Sequence, residues 1–434
     1  MDLKQSLFIT DIAQLVTRPG HKAARGRDEM GNIGVIPGPA AVLVREGTIT
    51  HVGSMADSAR WDTAGVPTLD ASGCTLLPGF VDSHTHLVFG GYREEEFQWR
   101  LAGDSYMSIM QRGGGIANTM KATRAASQQD LYTRAAEHLK AMMSMGVTTA
   151  EAKSGYGMEL QTELKQLQVV EQLAQTQPVE LVSTFMGAHD TPPEFKGNPD
   201  GYITYLCNDV LPQVAQVAAN GHRPAEFCDI FTEEGVFDHA QTRKLLTRAK
   251  ELGLKVKMHA DEIVSFGGAE LAAELGCTSA DHLLQISPRG IAALAASDTV
   301  ATTLPCTAFS LKAPYAPARA MIDAGCAVAV ASDLNPGSCF SSSVPLMFAL
   351  ATIYMGMTIE EAITALTLNG AAAVGRAHLI GSIEPGKQAD FALLRFPSYR
   401  FLSYHFGVNL VTATIKRGVV YRNELTRQPA SLPL

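Results

Sequence analysis

The feature that most constrains this chain is the alternation through its middle. Short β-branched or apolar runs fall near 80–84, 147–152, 180–186, 226–231, 254–258, 279–283, 299–304 and 327–331. Between several of them lie stretches with helical spacing: Leu131–Met145, Glu163–Thr176, His239–Leu252 and Gly267–Leu275. Strand, helix and strand in repeated order build parallel βαβ units, because parallel neighbours need a crossover of helix length. Eight such runs predict an α/β fold, a (β/α)8 TIM-like barrel with long loops.

The two ends read differently. Ala40–Val44 and Thr48–Val52 flank a Glu46-Gly47 turn, and Ala413–Ile415 and Val419–Tyr421 flank Arg417-Gly418; both are hairpin patterns. Asp390–Leu394 alternates as a further strand, and Pro78-Gly79 punctuates the entry to the barrel. Termini of a domain often lie close together. Residues 1–76 and 372–434 are therefore expected to form one small β-sandwich domain, with the barrel over 77–371.

Composition removes several function classes. An apolar share of 46% against 18% charged residues supports a large core and excludes disorder. A net charge of −8 argues against a nucleic-acid partner, which usually meets a basic patch. The seven cysteines are odd in number and none stands in C-x-x-C spacing, so no disulfide framework or zinc knuckle is expected. Residues 1–16 carry no basic leader pattern, and no run of about 18 apolar residues occurs. The expectation is a cytoplasmic protein with no membrane contact. Gly113-Gly114-Gly115 is not followed by Lys-Ser/Thr, so it reads as a flexible loop rather than a phosphate cradle.

Candidate chemistry sits where the apolar runs end. His84 and His86 close Phe80-Val81-Asp82-Ser83-His84-Thr85-His86, and positions i and i+2 of a strand face one side. His259 ends the fifth run and Asp333 the eighth. The strand ends of a parallel barrel converge on one face. Three imidazoles and one carboxylate suit zinc or ferrous iron. One divalent metal ion, zinc or iron, is thus expected on His84, His86, His259 and Asp333. The plainer reading of Asp333 is a turn cap before Asn335-Pro336-Gly337. Glu262 follows His259 by three residues and would reach the same pocket as a proton carrier, unless it is a solvated loop carboxylate. His282 ends the sixth run, where it could bind metal, orient water or polarise a carbonyl. Arg93 offers a guanidinium fork to a carboxylate, or else pairs with Glu94, Glu95 or Glu96.

The segment Pro78–His86, with its late His and Asp, is similar to the metal-dependent amidohydrolase superfamily, as is the tail Gly381–Phe391. Closer still, five segments over nearly the whole chain resemble the imidazolonepropionase family. They are His86–Arg93, Lys153-Ser154-Gly155-Tyr156-Gly157, Gly187-Ala188-His189, His259-Ala260-Asp261-Glu262 and Asp333-Leu334-Asn335-Pro336-Gly337. The resemblance implies hydrolytic opening of 4-imidazolone-5-propanoate to N-formimidoyl-L-glutamate in histidine degradation. It implies Glu262 and His282 as catalytic residues, and Arg93, Tyr156, His189, Asn335, Gly337 and Ser338 as substrate contacts. Some superfamily members hold two metals through a modified lysine on the fourth strand. Here Lys153 ends the second run and the fourth, Phe227–Glu233, has no lysine, so one metal is expected. Glu233 is the strand-end carboxylate that would change that count. The chain departs from the family pattern at Asp190, Thr232 and Cys306, which bears on substrate range more than on reaction class. Two rival readings stand beside this one. Another cyclic amidohydrolase or ring deaminase would not require Arg93 and Tyr156 as a carboxylate clamp. A catalytically dead binding protein should have lost its ligands. A small-molecule substrate is expected, and a homodimer is compatible with the sequence.

Overall fold

The computed structural model describes residues 4–104, 112, 114–216 and 224–422. The middle of the chain forms the expected barrel. Its staves are Phe80–Asp82, Val147–Lys153, Glu180–Ala188, Phe227–Thr232, a split fifth stave (Lys255–Val256 and Met258–Ala260), Ser279–His282, Val300–Thr303 and Val328–Val330. They lie side by side in chain order and pair in parallel. Just past the first and last staves the Asp333 N–H donates to the His84 carbonyl, and the His86 N–H to the Leu334 carbonyl. These two bonds join the ring at the ends where His84, His86 and Asp333 emerge.

Local chemistry sets the helices. Gln128–Ser144 and His239–Glu251 each begin with a capping box, Ser127 with Asp130 and Asp238 with Gln241. Leu131, Ala135, Leu139 and Met142 recur at helical spacing and are buried against the barrel. Leu160–Thr176 and Gly268–Glu274 fill the other two expected helical positions. Gly79 is required by space: a Cβ there would meet the Thr148 side chain at 2.3 Å. Of the glycine run, Gly113 lies outside the described residues, and Gly115, at φ 85°, caps the helix Ile116–Ala125. Among the described residues no helix is long and apolar enough to cross a membrane.

Both chain ends contribute to a second sheet. Its order is Val419–Arg422, Val411–Lys416, Phe391–Leu394, Thr75–Pro78, Leu7–Val16, Val35–Arg45 and Thr48–Ser54, with Thr68–Asp70 also beside Leu7–Val16. The two hairpins read from sequence are present. Bulges between Ile9 and Ile12, Leu43 and Val44, and Leu393 and Leu394 bend the strands. The sheet curls until the Ala389 N–H donates to the Gly47 carbonyl and the Gly418 N–H to the Ala389 carbonyl. It thereby encloses an apolar core of its own, including Ile9, Ile12, Leu15, Val42, Phe391 and Ile415. Because Thr75–Pro78 pairs inside this sheet, the chain crosses to the barrel after Pro78.

Candidate active site

The barrel geometry gathers the expected metal-binding residues. His84 and His86 leave the first stave fully buried. His84 Nδ1 lies 2.7 Å from Asp281 Oδ2, and its Nε2 is buried with no hydrogen-bond partner, 3.5 Å from Asp333 Oδ1. His86 Nε2 lies 3.7 Å from Asp333 Oδ1 and 3.4 Å from His259 Nε2. His259 Nδ1 is backed by Asp229 Oδ2 at 3.1 Å. A carboxylate on one ring nitrogen fixes the tautomer and leaves the other nitrogen as an electron-pair donor. One donor atom each from His84, His86 and Asp333 falls within 4.8 Å of the others, and so does one each from His84, His259 and His282. An orphaned buried imidazole nitrogen facing nitrogen and oxygen donors fits a borderline divalent ion such as zinc or ferrous iron. Asp333 is itself held: its backbone is left-handed at φ 55°, and its Oδ2 accepts a 2.6 Å bond from the Thr307 hydroxyl. Burial, opposed by Thr307 and His259, pushes its carboxyl up to about 6.

Beneath these residues lies a charge network at full burial. Lys153 Nζ is 2.6 Å from Asp229 and 2.9 Å from Glu151; Lys257 Nζ is 2.7 Å from Glu151 and donates to the Ser83 carbonyl at 2.9 Å. Burial opposes the Lys153 charge, but Asp229, Glu151 and Asp281 together hold its pKa above the ordinary lysine value. Lys153 is therefore bound as an ammonium between carboxylates, away from any role as a metal bridge. Glu233 is equally committed. It accepts the backbone N–H groups of Ile263 at 2.8 Å, Val264 at 3.3 Å and Glu234 at 3.1 Å.

That contact helps set Glu262. The preceding Asp261, at φ 50°, accepts four N–H bonds of 2.9–3.0 Å from Phe266, Gly267, Gly268 and Ala269. With Asp261 and Glu233 holding the loop on both sides, Glu262 Oε2 reaches 3.5 Å from His282 Nδ1. Burial, then the neighbouring charges of Asp333 and Glu233, push the Glu262 carboxyl up to about 8. His282, at φ 79°, is kept neutral chiefly by burial and then by His259. Left-handed backbone at three non-glycine residues around one site is strain that the surrounding bonds must hold.

A cavity of about 540 Å³ opens above this group. Every site residue read from the sequence lines it except His84, which lies below. Tyr156 and His189 form one wall, with ring centres 5.2 Å apart, and His189 stacks on His86 at 4.9 Å. Burial pushes His189 down to about 3, so it is neutral near pH 7. Asn335 spends its amide on the turn: Nδ2 donates to the Asp333 carbonyl at 2.7 Å and to Ser338 Oγ at 2.9 Å, while Oδ1 accepts the N–H groups of Gly337 and Ser338. A Cβ at Gly337 would meet the Arg93 guanidinium and displace it. Arg93 has chosen Glu96 among its three neighbours, with Nε at 2.9 Å and Nη2 at 2.7 Å.

Sequence reasoning missed Glu151, Asp229, Lys257 and Asp281. The available signal was four charged residues inside apolar strand runs. It also missed Thr307 and, in the cavity lining, Arg100. Of the three departures from the family pattern, Thr232 bonds Thr242 at 2.9 Å, Cys306 lines a neighbouring cavity, and Asp190 is half-buried outside the lining.

Comparison with known proteins gives the family and the fold. The model of the amidohydrolase family matches residues 75–420. The imidazolonepropionase of Porphyromonas gingivalis (strain ATCC 33277) is 70% identical over 419 residues, covering 96% of this chain and 98% of that protein. That of Clostridium tetani is 53% identical, covering 96% and 99%. Among solved structures, an adenosine deaminase from Xanthomonas campestris with bound zinc superposes with a TM-score of 0.68 at 18% identity, covering 98% of this chain and 95% of its own. A triazine hydrolase from Arthrobacter aurescens gives 0.70 at 14%, covering 96% and 94%. These two likenesses speak for the fold alone. The chain belongs to the amidohydrolase family and, within it, to the imidazolonepropionases.

Proposed function

We propose that this chain is a metal-dependent hydrolase that opens the ring of 4-imidazolone-5-propanoate with water, giving N-formimidoyl-L-glutamate. One observation carries the reading. A single cavity joins His86, His259, Asp333 and Glu262 to Arg93, and His84 lies within ligand distance of that group outside the lining. A cyclic amide with an anionic side chain needs both ends.

His84, His86, His259 and Asp333 would hold one divalent ion, zinc or iron. Such an ion, when bound, lowers the pKa of a coordinated water toward about 7 and polarises a carbonyl oxygen. The protein groups do the rest. Glu262, buried 3.5 Å from His282 at the cavity wall, takes the proton of the attacking water in its ionised form. The oxygen bonds to the ring carbonyl carbon, and a His282 N–H faces the oxygen on which negative charge develops. Glu262 then delivers the proton to the ring nitrogen as the carbon–nitrogen bond breaks. Tyr156 and His189 pack beside the ring, and Asn335, Gly337 and Ser338 shape its edge. Arg93 takes the propionate.

The reading extends to a cytoplasmic enzyme, supported by seven cysteines that are all free thiols. It also extends to a homodimer, supported by the exposed apolar group of Tyr92, Phe97, Phe309 and Phe340; light scattering of the purified protein tests this. The activity is tested by ultraviolet assay of freshly prepared 4-imidazolone-5-propanoate, with the product identified by mass. Loss of the imidazolone chromophore with gain of one water is expected. An unchanged substrate in the metal-loaded enzyme would overturn the reading.

A further inference from the structure

Arg93 is not the only guanidinium in the cavity. Arg93 and Arg100 stand at the two ends of the helix Glu94–Leu101, seven residues apart, so two turns bring both to one side. Both line the active-site cavity. Their circumstances differ. Arg93 places Nε and Nη2 on Glu96, whose carboxylate also accepts the Gly115 N–H at 3.0 Å and Asn118 Nδ2 at 3.2 Å. Among the described residues Arg100 has two long bonds, Nη1 to the Gly337 carbonyl at 3.5 Å and Nη2 to Ser310 Oγ at 3.3 Å. Its Nε is buried with no partner. The Phe97 ring, 5.2 Å from Cζ, supports the guanidinium from one side.

A guanidinium carries five N–H donors and has no acceptor. Buried donors left unpaired are costly, and a charged donor gains most from a charged acceptor. The local charge is unbalanced as well. On this side of the cavity two guanidiniums stand with one carboxylate, Glu96; of the other acids lining it, Asp104 is paired with Arg112 at 3.1 Å, and Glu262 and Asp333 sit with the histidine cluster. Among the described residues Arg100 has no carboxylate bonded to it, and it stands next to Gly337 on the cavity wall.

We propose that Arg100 is a second binding residue for the substrate's side-chain carboxylate, and that the Arg93–Arg100 pair selects an anionic over a neutral side chain. This rests on the ring-opening reading given above. In it, Glu96 holds Arg93 in place and offsets its charge, while Arg100 supplies donors not already claimed.

The test uses the metal-loaded enzyme and three forms: the parent, Arg100→Met and Arg100→Lys. Turnover of 4-imidazolone-5-propanoate gives kcat and KM, and competitive inhibition is measured with imidazole-4-propanoate and with its primary amide. Arg100→Met should raise KM and the inhibition constant of the acid about 10- to 100-fold, as loss of a charge-assisted bond implies. It should leave kcat within about threefold and the amide unaffected, and Arg100→Lys should recover part of the loss. Equal weakening of acid and amide, or weakening of neither, would overturn the proposal. If Arg100→Met fails to fold with its metal, the acid-to-amide ratio of Arg100→Lys decides: a ratio equal to that of the parent contradicts the proposal. A parent that prefers acid to amide through Arg100, yet opens no imidazolone, would sink the ring-opening reading and leave this one standing.

Discussion

The two β-built interiors of this molecule are filled in opposite ways. The small sheet encloses Ile9, Ile12, Leu15, Val42, Phe391 and Ile415, an interior of aliphatic and aromatic groups. At the end of the barrel bearing the candidate site, the interior is Glu151, Lys153, Asp229, Lys257 and Asp281, all fully buried. Apolar burial stabilises without direction, at roughly 25 cal/mol per Å². Buried ions contribute little net stability, because desolvation offsets their attraction, but each partner removed leaves a costly orphan. The small sheet therefore serves to hold the fold together. The charged interior serves to orient His84 and His259 through Asp281 and Asp229.

This contrast can be broken at several points. The largest effect is expected from Asp333→Ala or His84→Ala. Either should abolish bound metal and turnover together while the barrel stays folded, since both residues follow the ends of their staves rather than filling the apolar core. Metal analysis beside circular dichroism checks it, and full metal content in both variants would remove the assignment.

Glu262→Gln should retain metal and lose about 100- to 10,000-fold in kcat, the range of a lost general base. A loss below about tenfold would count against Glu262 as the proton carrier. Next comes Asp281→Asn, which leaves His84 in place but weakens its carboxylate support. Metal affinity should fall about 10- to 100-fold, as for other outer partners of metal-binding histidines; competition with a chelator measures it. Against these stands Ile12→Ala in the small sheet. It should cost about 2–5 kcal/mol of stability by denaturant titration and leave metal affinity unchanged. Matching losses of metal from Ile12→Ala and Asp281→Asn would erase the distinction between the two interiors.

The last effect is a slope. In the metal-free protein the Glu262 carboxyl is held near 8, above its ordinary value of 4.5. Between those values the folded chain keeps a proton that the unfolded chain has released, so stability falls as pH rises through this window. Below about 4.5 both states are protonated and the penalty is absent. Thermal melting from pH 5 to 8 should show a shallower decline in Glu262→Gln than in the parent.

The same contrast explains what was legible in the sequence. The barrel could be read because its strands and helices alternate locally. His84, His86, His259 and Asp333 could be read as candidates because they follow three apolar runs, the first two sharing one. The hairpins around Gly47 and Gly418 were visible for the same local reason. The charge network was not, because Lys153 meets Asp229 across 76 residues and His84 meets Asp281 across 197. Only closure of the barrel brings these together. The partner of Arg93 was ambiguous among three glutamates until the helix Glu94–Leu101 set its phase and put Glu96 on the cavity side. Pairing of Thr75–Pro78 with Phe391–Leu394 spans most of the chain and leaves no local trace.

The central claim is that one ion, held on a charged barrel floor, supports ring opening. Metal-free protein titrated with zinc or ferrous ion, with loss of 4-imidazolone-5-propanoate followed in the ultraviolet, tests it most directly. Activity should rise linearly to one equivalent of metal per chain and then stay level. Full activity without metal, or a plateau only at two equivalents, would contradict the account.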